Sequence, residues 1–231
     1  TYADYALEDR MANDKDIVND FLADLAKKSI APAKKDVQQV YEFAKKNGFE
    51  GKELMPWDFT YWSERYQETE YSLNAEELKP YLSLDNCINA VFDLANRLYG
   101  INITPVEGVP VYHPDVKVYD ITDVDGTHLA LLYADFFPRA SKRGGAWMTS
   151  FREQYQKDGV EYRPFISMVT NFTKPTADAP SLITHDEFVT FLHEFGHVLH
   201  GVFAEGRYPS LTGTNVPRDF VELPSQIMEN W

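Results

Sequence analysis

The stretch Thr184-His-Asp-Glu-Phe-Val-Thr-Phe-Leu-His-Glu-Phe-Gly-His-Val-Leu-His-Gly-Val-Phe203 carries the most informative pattern in the sequence. Thr184 followed three residues later by Glu187 has the pattern of a capping box, which predicts that a helix begins here. The helix is expected to run to about Ala204, because Gly206 is a typical helix stop. One long helix is therefore predicted in the last quarter of the chain.

This helix combines an apolar surface with a single charge. Between Phe188 and Phe203 the only Asp, Glu, Lys or Arg is Glu194. A helix that is apolar on every side is expected to be buried. A lone buried carboxylate is costly unless a cation or hydrogen-bond donors compensate it. Because several histidines lie on the same helix, we expect a metal ion to provide that compensation.

The segment His193-Glu194-Phe195-Gly196-His197 has the spacing of a zinc site. Histidines at positions i and i+4 project from one helix face, so His193 and His197 can bind one Zn²⁺ through ring nitrogens. Glu194 lies beside the metal and can accept the proton of a water that zinc acidifies. The alternative is a pair of hydrogen-bonded core histidines, but the capping box and the apolar context favour the metal.

The residues around the two histidines exclude one class of zinc site and leave two roles open. A metzincin would need Gly at position 200 and His at position 203, and this chain has His200 and Phe203, so that class is excluded. His200 lies one turn after the second predicted ligand and either packs in the core or supports the ligands, and we favour support. Glu187 either caps the helix or supports the ligands, and the capping box favours the cap.

A hydrolytic zinc site needs a third protein ligand and an open position, and a downstream carboxylate is the expected third ligand. Glu222 and Glu229 are both candidates, because seven residues apart they fall on similar faces of a helix. Glu222, which follows His193 by 222 − 193 = 29 residues, is favoured because it lies nearer the start of that helix. Pro224 suits only a first turn, which leaves the helix start open.

The rest of the chain predicts a mostly α-helical fold with a small antiparallel β-sheet beside the zinc helix. Apolar residues recur at helical spacing in residues 1–48, where Pro32 breaks or restarts the pattern, and again from Ser83 to Tyr99. Residues 116–120 and 129–135 are strand-like, and an Asp-Gly step between them is a hairpin signal. A third strand is predicted near Ile166.

Composition excludes several classes of function. The chain has 36 acidic and 22 basic side chains among 231 residues, a net charge of −14. This balance disfavours nucleic acids and anionic membranes as partners. The single cysteine favours a cytoplasmic location. Both ends resemble interior sequence, so we expect a piece of a longer protein, and a periplasmic location stays open.

Five segments of this sequence resemble a known family, the thimet oligopeptidase-like zinc metallopeptidases of family M3. The strongest matches are His193–His200, Gly213–Gln226 and the closing Glu229-Asn-Trp231. The match continues upstream through Leu131–Asp135 and Asn171–Pro175. The resemblance implies the zincin-like catalytic core of a large helical metallopeptidase that is truncated in this chain, with Zn²⁺ as cofactor and short peptides as substrates.

The same resemblance implies a role for each residue of the site. It assigns His193 and His197 as zinc ligands, Glu194 as the general base and Glu222 as the third ligand. Glu222 is thereby favoured over Glu229 beyond what spacing alone allows. Glu229 is then expected to orient His193 or His197.

Two segments look most like the bacterial peptidyl-dipeptidase (dipeptidyl carboxypeptidase) branch, namely Lys142–Met148 and Pro217–Glu222 after Leu211–Thr214. That branch implies release of dipeptides from a free C-terminus. The alternatives are a thimet-type endo-oligopeptidase and, in another class, a catalytically incomplete fragment or peptide-binding module. Family members are much longer and use a later segment to stabilise the oxyanion, so we expect the isolated piece to hydrolyse slowly or not at all.

The resemblance also suggests a division of the chain and a role for its third strand. Residues 1–110 are expected to form a helical scaffold region, and residues 111–231 the zinc-binding catalytic core, incomplete at its C-terminus. The protein is expected to be a monomer. The strand Ile166–Asn171 either is purely structural or lays an extended peptide along the sheet edge, so that main-chain hydrogen bonds align it over zinc.

Overall fold

The computed structural model describes residues 1–71 and 75–231, which form two compact units. The first unit comprises Thr1–Ala75 and the second Glu76–Trp231. Residues 76–110 belong to the same compact unit as the predicted zinc helix, whereas the sequence predicts a functional boundary at residue 110. The functional division at residue 110 stays a prediction.

The first unit is helical, as predicted, and consists of α1 (Tyr2–Leu7), α2 (Lys15–Lys46) and α3 (Pro56–Tyr71). The expected helix stop is confirmed, because Asn47 caps α2 and Gly48 has a φ of 97°. Pro32, which the pattern suggested would break or restart the helix, lies inside a continuous α2. Phe43 packs edge-on against Trp62 and Tyr66, so the aromatic residues of α3 serve packing.

The second unit contains four further helices and seven strands. The helices are α4 (Ala75–Leu78), α5 (Leu84–Tyr99), α6 (His185–Val202) and α7 (Arg218–Met228), with 3₁₀ turns at Lys79–Tyr81 and Pro209–Leu211. The strands are β1 (Asn102–Pro105), β2 (Lys117–Thr122), β3 (His128–Asp135), β4 (Trp147–Arg152), β5 (Tyr155–Lys157), β6 (Val160–Tyr162) and β7 (Phe165–Val169). Within residues 1–71 and 75–231, no helix has both the length and the apolar character needed to cross a bilayer.

Five strands form a mixed sheet in the order β1-β2-β3-β7-β4. The predicted hairpin is confirmed, because β2 and β3 pair antiparallel and Gly126 has a φ of 86° in the connection. The prediction of an antiparallel sheet is wrong for one pair, because β3 and β7 run parallel. The chain between them, residues 136–164, crosses over and returns in the same direction, which a tight turn does not allow.

The third predicted strand exists as β7, but it has no free edge. It pairs with β3 on one side and with β4 on the other. The suggestion that it lays a peptide along the sheet edge is therefore wrong. The edge strand on this side of the sheet is β4, which follows the glycine-containing segment Lys142–Trp147.

Helix α6 packs on the sheet through its apolar side chains. Phe191, Phe195 and Val198 are fully buried and share one core with Leu132 and Ile166 of the sheet. Gly201 permits the close approach, since a Cβ there would lie 2.8 Å from Cδ1 of Ile166 and 2.9 Å from Cε of Met148. The helix that carries the histidines is thus held closely against β7 and β4.

The N-terminus of α6 has the predicted capping box. Oγ1 of Thr184 accepts from the backbone N–H of Glu187 at 3.1 Å, and Oε2 of Glu187 accepts from the N–H of Thr184 at 2.8 Å. The carboxylate of Glu187 is therefore engaged at the helix start. The helix ends at Val202, two residues before the expected Ala204.

Replacement of Thr184 by Ala should lower the free energy of unfolding by about 1 kcal/mol, because it removes the cap of α6. The matched control is Thr190→Ala inside the same helix, whose hydroxyl donates only to the carbonyl of Asp186. Urea unfolding of the two variants measures the difference. A loss for Thr184→Ala no larger than that for Thr190→Ala would contradict the role of the cap.

Candidate metal centre

Two helices bring three metal-binding side chains together. His193 and His197 project from α6 and Glu222 from α7, and one ligand atom of each lies within 4.8 Å of the others. Oε2 of Glu222 is 3.3 Å from Nε2 of His193 and 3.2 Å from Nε2 of His197. Two imidazoles and one carboxylate form a donor set typical of catalytic zinc sites. The residues present therefore fit a zinc ion.

The spacing of the histidines and the path of α7 explain this convergence. One helical turn separates His193 from His197, and their ring centroids are 4.9 Å apart. Helix α7 starts at Arg218, so Glu222 lies in its second turn and Pro224 lies inside the helix. Sequence reasoning expected Pro224 only in a first turn, and it had left the start of this helix open.

The two helices approach each other closely at Gly196. A Cβ at this position would lie 2.6 Å from the carbonyl oxygen of Pro224 and 2.6 Å from Cα of Ser225. Real Cβ atoms do not approach other atoms this closely, so a larger residue would push α7 away from α6. Gly196 therefore helps to set the distance between the histidines and Glu222.

Two further side chains orient the ligands. Nδ1 of His193 donates to Oε1 of Glu229 at 2.6 Å, which leaves Nε2 of His193 directed at Glu222. Glu229 was expected to orient His193 or His197; it contacts His193, and its orienting role stays a prediction. The buried hydroxyl of Ser225 lies 2.9 Å from Oε2 of Glu222 and 3.0 Å from its carbonyl oxygen. Partners of this kind hold metal ligands in their binding orientation.

Glu194 is buried in the same cleft, with 6% of its surface exposed. Its Oε2 has no hydrogen-bond partner in the described part of the chain. The pKa of Glu194 is raised to about 7, mainly because the side chain is buried. His193 lowers this pKa and the nearby Glu222 raises it, and both effects are smaller than that of burial. A buried carboxyl group with an unpaired oxygen is suited to exchange a proton with a group that enters the cleft.

His200 lies apart from this group. It lines a second cavity with Tyr99, Phe203 and Leu211, and its ring faces Phe220 with centroids 6.1 Å apart. Its Nδ1 is buried without a partner among the described residues, and burial lowers the pKa of this histidine. In the described part of the chain, no hydrogen bond or ion pair joins His200 to the three candidate ligands, so its supporting role stays a prediction.

The cleft in front of the histidines has a volume of about 430 Å³. Besides the candidate ligands and Glu194, the cleft is lined by Thr214 and Val221. Ala146 and the first two residues of β4, Trp147 and Met148, complete the lining. Sequence reasoning assigned no role in this cleft to Ala146–Met148 or to Ser225. The two glycines before Trp147 predict a loop there, but they do not predict that the next residues line the cleft. That position depends on the pairing of β4 with β7, which the local sequence does not show.

Comparison with known proteins gives a consistent match over the whole chain. The family model for peptidase family M3 matches residues 1–231. The chain is 42% identical over 234 residues to a dipeptidyl carboxypeptidase of Escherichia coli (strain K12) and 40% identical over 232 residues to oligopeptidase A of the same organism. It is also 40% identical over 238 residues to a probable cytosolic oligopeptidase A of Arabidopsis thaliana. Each alignment covers 100% of this chain but 34% of the relative, so the chain spans about a third of their length.

The variant Gly196→Ala should bind zinc about 10- to 100-fold more weakly than the wild-type protein, because α7 and Glu222 must move away from the histidines. Gly144→Ala is the control, since a Cβ at Gly144 meets no atom within 4 Å. Competition with a chelator of known affinity measures both variants. Equal zinc affinity in a folded Gly196→Ala protein would show that the close approach does not set the ligand distance.

Proposed function

We propose that this chain, which belongs to peptidase family M3, forms the zinc-binding catalytic region of a metallopeptidase that hydrolyses short peptides. The observation that carries the proposal is the convergence of His193, His197 and Glu222 in one cleft with the buried Glu194. The named relatives support it, because they include a dipeptidyl carboxypeptidase and oligopeptidases. The activity is proposed for the whole protein, because this chain spans about a third of the length of these relatives.

His193, His197 and Glu222 would hold the zinc ion. When bound, zinc supplies a Lewis acid that polarises a peptide carbonyl and acidifies water at neutral pH. Glu229 and Ser225 would keep the ligands oriented through their contacts with His193 and Glu222.

Glu194 would act as the general base and then as the general acid. Its carboxylate accepts a proton from the attacking water and passes it to the amine that leaves the scissile bond. The raised pKa of Glu194, about 7 because of burial, places its two protonation states close in free energy near neutral pH. No other carboxylate lines this cleft among the described residues except the ligand Glu222.

The edge of the sheet would align the substrate. An extended peptide can add to an exposed strand through main-chain hydrogen bonds, which fixes its position along the strand. Strand β4 is the edge, and its first residues, Trp147 and Met148, line the metal cleft. Of the two roles open for Ile166–Asn171, alignment of the peptide is therefore proposed for β4 instead.

Within this family we propose the dipeptidyl carboxypeptidase type of reaction, the release of dipeptides from a free C-terminus. The segments Lys142–Met148 and Pro217–Glu222 resemble that branch, and a relative 42% identical has that name. A thimet-type endo-oligopeptidase is the second candidate, favoured by relatives of nearly equal identity named oligopeptidase A. A monomer in the cytoplasm or periplasm, without nucleic-acid or membrane partners, remains part of the proposal.

In the whole protein, Glu194→Gln should keep about one zinc per chain and lose nearly all turnover, because the amide cannot accept the proton of water. A loss of about 100-fold or more in kcat is expected for a removed general base. Glu107→Gln in the loop after β1 is the control and should leave kcat unchanged. Full activity of the Glu194→Gln enzyme would rule out the proposed base.

The whole protein should release dipeptides from peptides with a free C-terminal carboxylate and should leave C-terminally amidated peptides uncut. Mass spectrometry of the products from one peptide, prepared as acid and as amide, tests this. Efficient internal cleavage of the amidated peptide would favour the endo-oligopeptidase. Failure to cleave either peptide, with zinc bound, would favour a peptide-binding module.

A further inference from the structure

A second group of buried charges lies outside the metal centre. The side chains of Asp135 and Lys142 are 1% and 2% exposed, and no step of the proposed reaction uses them. Asp135 ends β3, and Lys142 lies in the connection that leads from β3 to β4. Buried charges of this kind rarely add to stability beyond what apolar side chains would give. Stability alone therefore does not explain why Asp135 and Lys142 are buried together.

The contacts of Lys142 tie the connection to the end of β3. Its Nζ donates to Oδ1 of Asp135 at 3.0 Å, to the carbonyl of Asp135 at 2.9 Å and to the carbonyl of Phe137 at 2.8 Å. An ammonium group has three protons, so all donors of Lys142 are used inside the chain. A single side chain thus fixes the direction in which the chain leaves the sheet.

Asp135 is saturated by further donors. Arg139 binds both carboxylate oxygens at 2.9 Å, and the hydroxyl of Tyr112 donates to Oδ2 at 2.9 Å. Burial alone would raise the pKa of Asp135, but the bonds from Arg139, Lys142 and Tyr112 outweigh it and hold this pKa below its usual value. The group is closed, with no carboxylate oxygen left for a ligand.

Asn171 ties the other end of the same connection. It lies just beyond β7, and its Nδ2 donates to the carbonyl of Arg143 at 3.0 Å and to that of Gly145 at 2.7 Å. Gly145 has a φ of 95°, a conformation that side chains disfavour, so the bend there suits glycine. The next residues, Ala146 and Trp147, already line the metal cleft.

We propose that Asp135, Lys142 and Asn171 form a clamp that positions the edge of β4 for main-chain hydrogen bonds to an extended peptide. The clamp holds the connection at both ends, directly before the residues of β4 that face the cleft. This inference rests on the proposed peptidase function. Among the described residues, no hydrogen bond or ion pair joins these three to the candidate ligands or to Glu194, so they are positioning residues.

The first measurement follows the clamp itself and does not depend on hydrolysis. Asn171→Asp replaces the two donated bonds by a carboxylate that faces two carbonyls, and Lys142→Met removes the ammonium at similar length. In the zinc-loaded whole protein, amide hydrogen exchange in residues 143–149 should become at least about tenfold faster in both variants. Asn96→Asp is the matched control, since Nδ2 of Asn96 donates to the carbonyl of Ile101 at the end of α5, away from the cleft.

The second measurement separates positioning from simple destabilisation. A short peptide substrate is compared with analogues that are N-methylated in turn at each main-chain nitrogen except that of the scissile bond. In the wild-type enzyme, methylation at a nitrogen that bonds to β4 should lower kcat/KM about tenfold. In Asn171→Asp and Lys142→Met this penalty should shrink to less than about twofold, while zinc content stays at the wild-type level.

The outcomes distinguish this inference from the function on which it rests. A zinc-loaded wild-type enzyme that cleaves no peptide would overturn the proposed function. An active wild-type enzyme with unchanged exchange in both variants would overturn the clamp. Faster exchange with an undiminished methylation penalty would show that these residues only stabilise the fold, which also overturns the positioning role. Asn171→Asp concerns a residue near the surface, so a failure of Lys142→Met to fold leaves the test intact.

Discussion

The contact between Gly196 and the backbone of Pro224 and Ser225 determines the geometry of the metal centre. The two histidines are placed by one helix, and their spacing needs nothing beyond helical periodicity. The third candidate ligand, Glu222, lies on another helix, so its position depends on how closely α6 and α7 approach. The absence of a side chain at Gly196 permits that approach, and the same contact places Ser225 beside the carboxylate of Glu222.

This contact depends in turn on the burial of α6. The helix is held on the sheet by Phe191, Phe195 and Val198, with Gly201 permitting close packing against Ile166. Burial of these side chains supplies favourable hydrophobic free energy, which can offset the cost of enclosing Glu194 in the same helix. The apolar surface of α6 keeps the helix buried, and this burial raises the pKa of Glu194. A solvated Glu194 would have an ordinary pKa.

Sequence predicted the local features of this structure and missed the long-range ones. The capping box at Thr184 and the hairpin through Gly126 depend on residues a few positions apart, and both take the expected form. His193 and His197 lie one turn apart on α6, as helical spacing predicts, and their role as metal ligands stays a prediction. The sequence pattern did not indicate the parallel pairing of β3 and β7. The 29 residues between these strands contain a turn of their own at Asp158-Gly159, and local turn signals do not determine the relative direction of strands that lie far apart in sequence. The family resemblance, and not spacing, favoured Glu222 over Glu229 decisively.

The same long-range pairing explains why β4 was overlooked. Its residues alternate between the two faces of the sheet without a strong apolar pattern, and its neighbour β7 lies far along the chain. Only the assembled sheet shows that β4 is the edge and that its first residues reach the cleft. Sequence pattern indicated that β7 would be buried, but it did not indicate that β3 and β4 pair with β7 on its two sides and leave it no free edge.

The second unit contains two buried acidic residues, Asp135 and Glu194, and their hydrogen bonds indicate which has a structural role and which is suited to proton transfer. Asp135 is buried more completely than Glu194, yet three cationic or hydroxyl donors occupy its oxygens and its pKa lies below the usual value. Glu194 keeps one oxygen without a partner among the described residues and has a pKa raised to about 7 by burial. A closed group of bonds fixes a backbone position, because no part of it is free to bind anything else. A buried carboxylate with an unpaired oxygen can still bind a reacting group. The unpaired oxygen of Glu194 is therefore a stronger argument than its burial that a proton is exchanged at this residue.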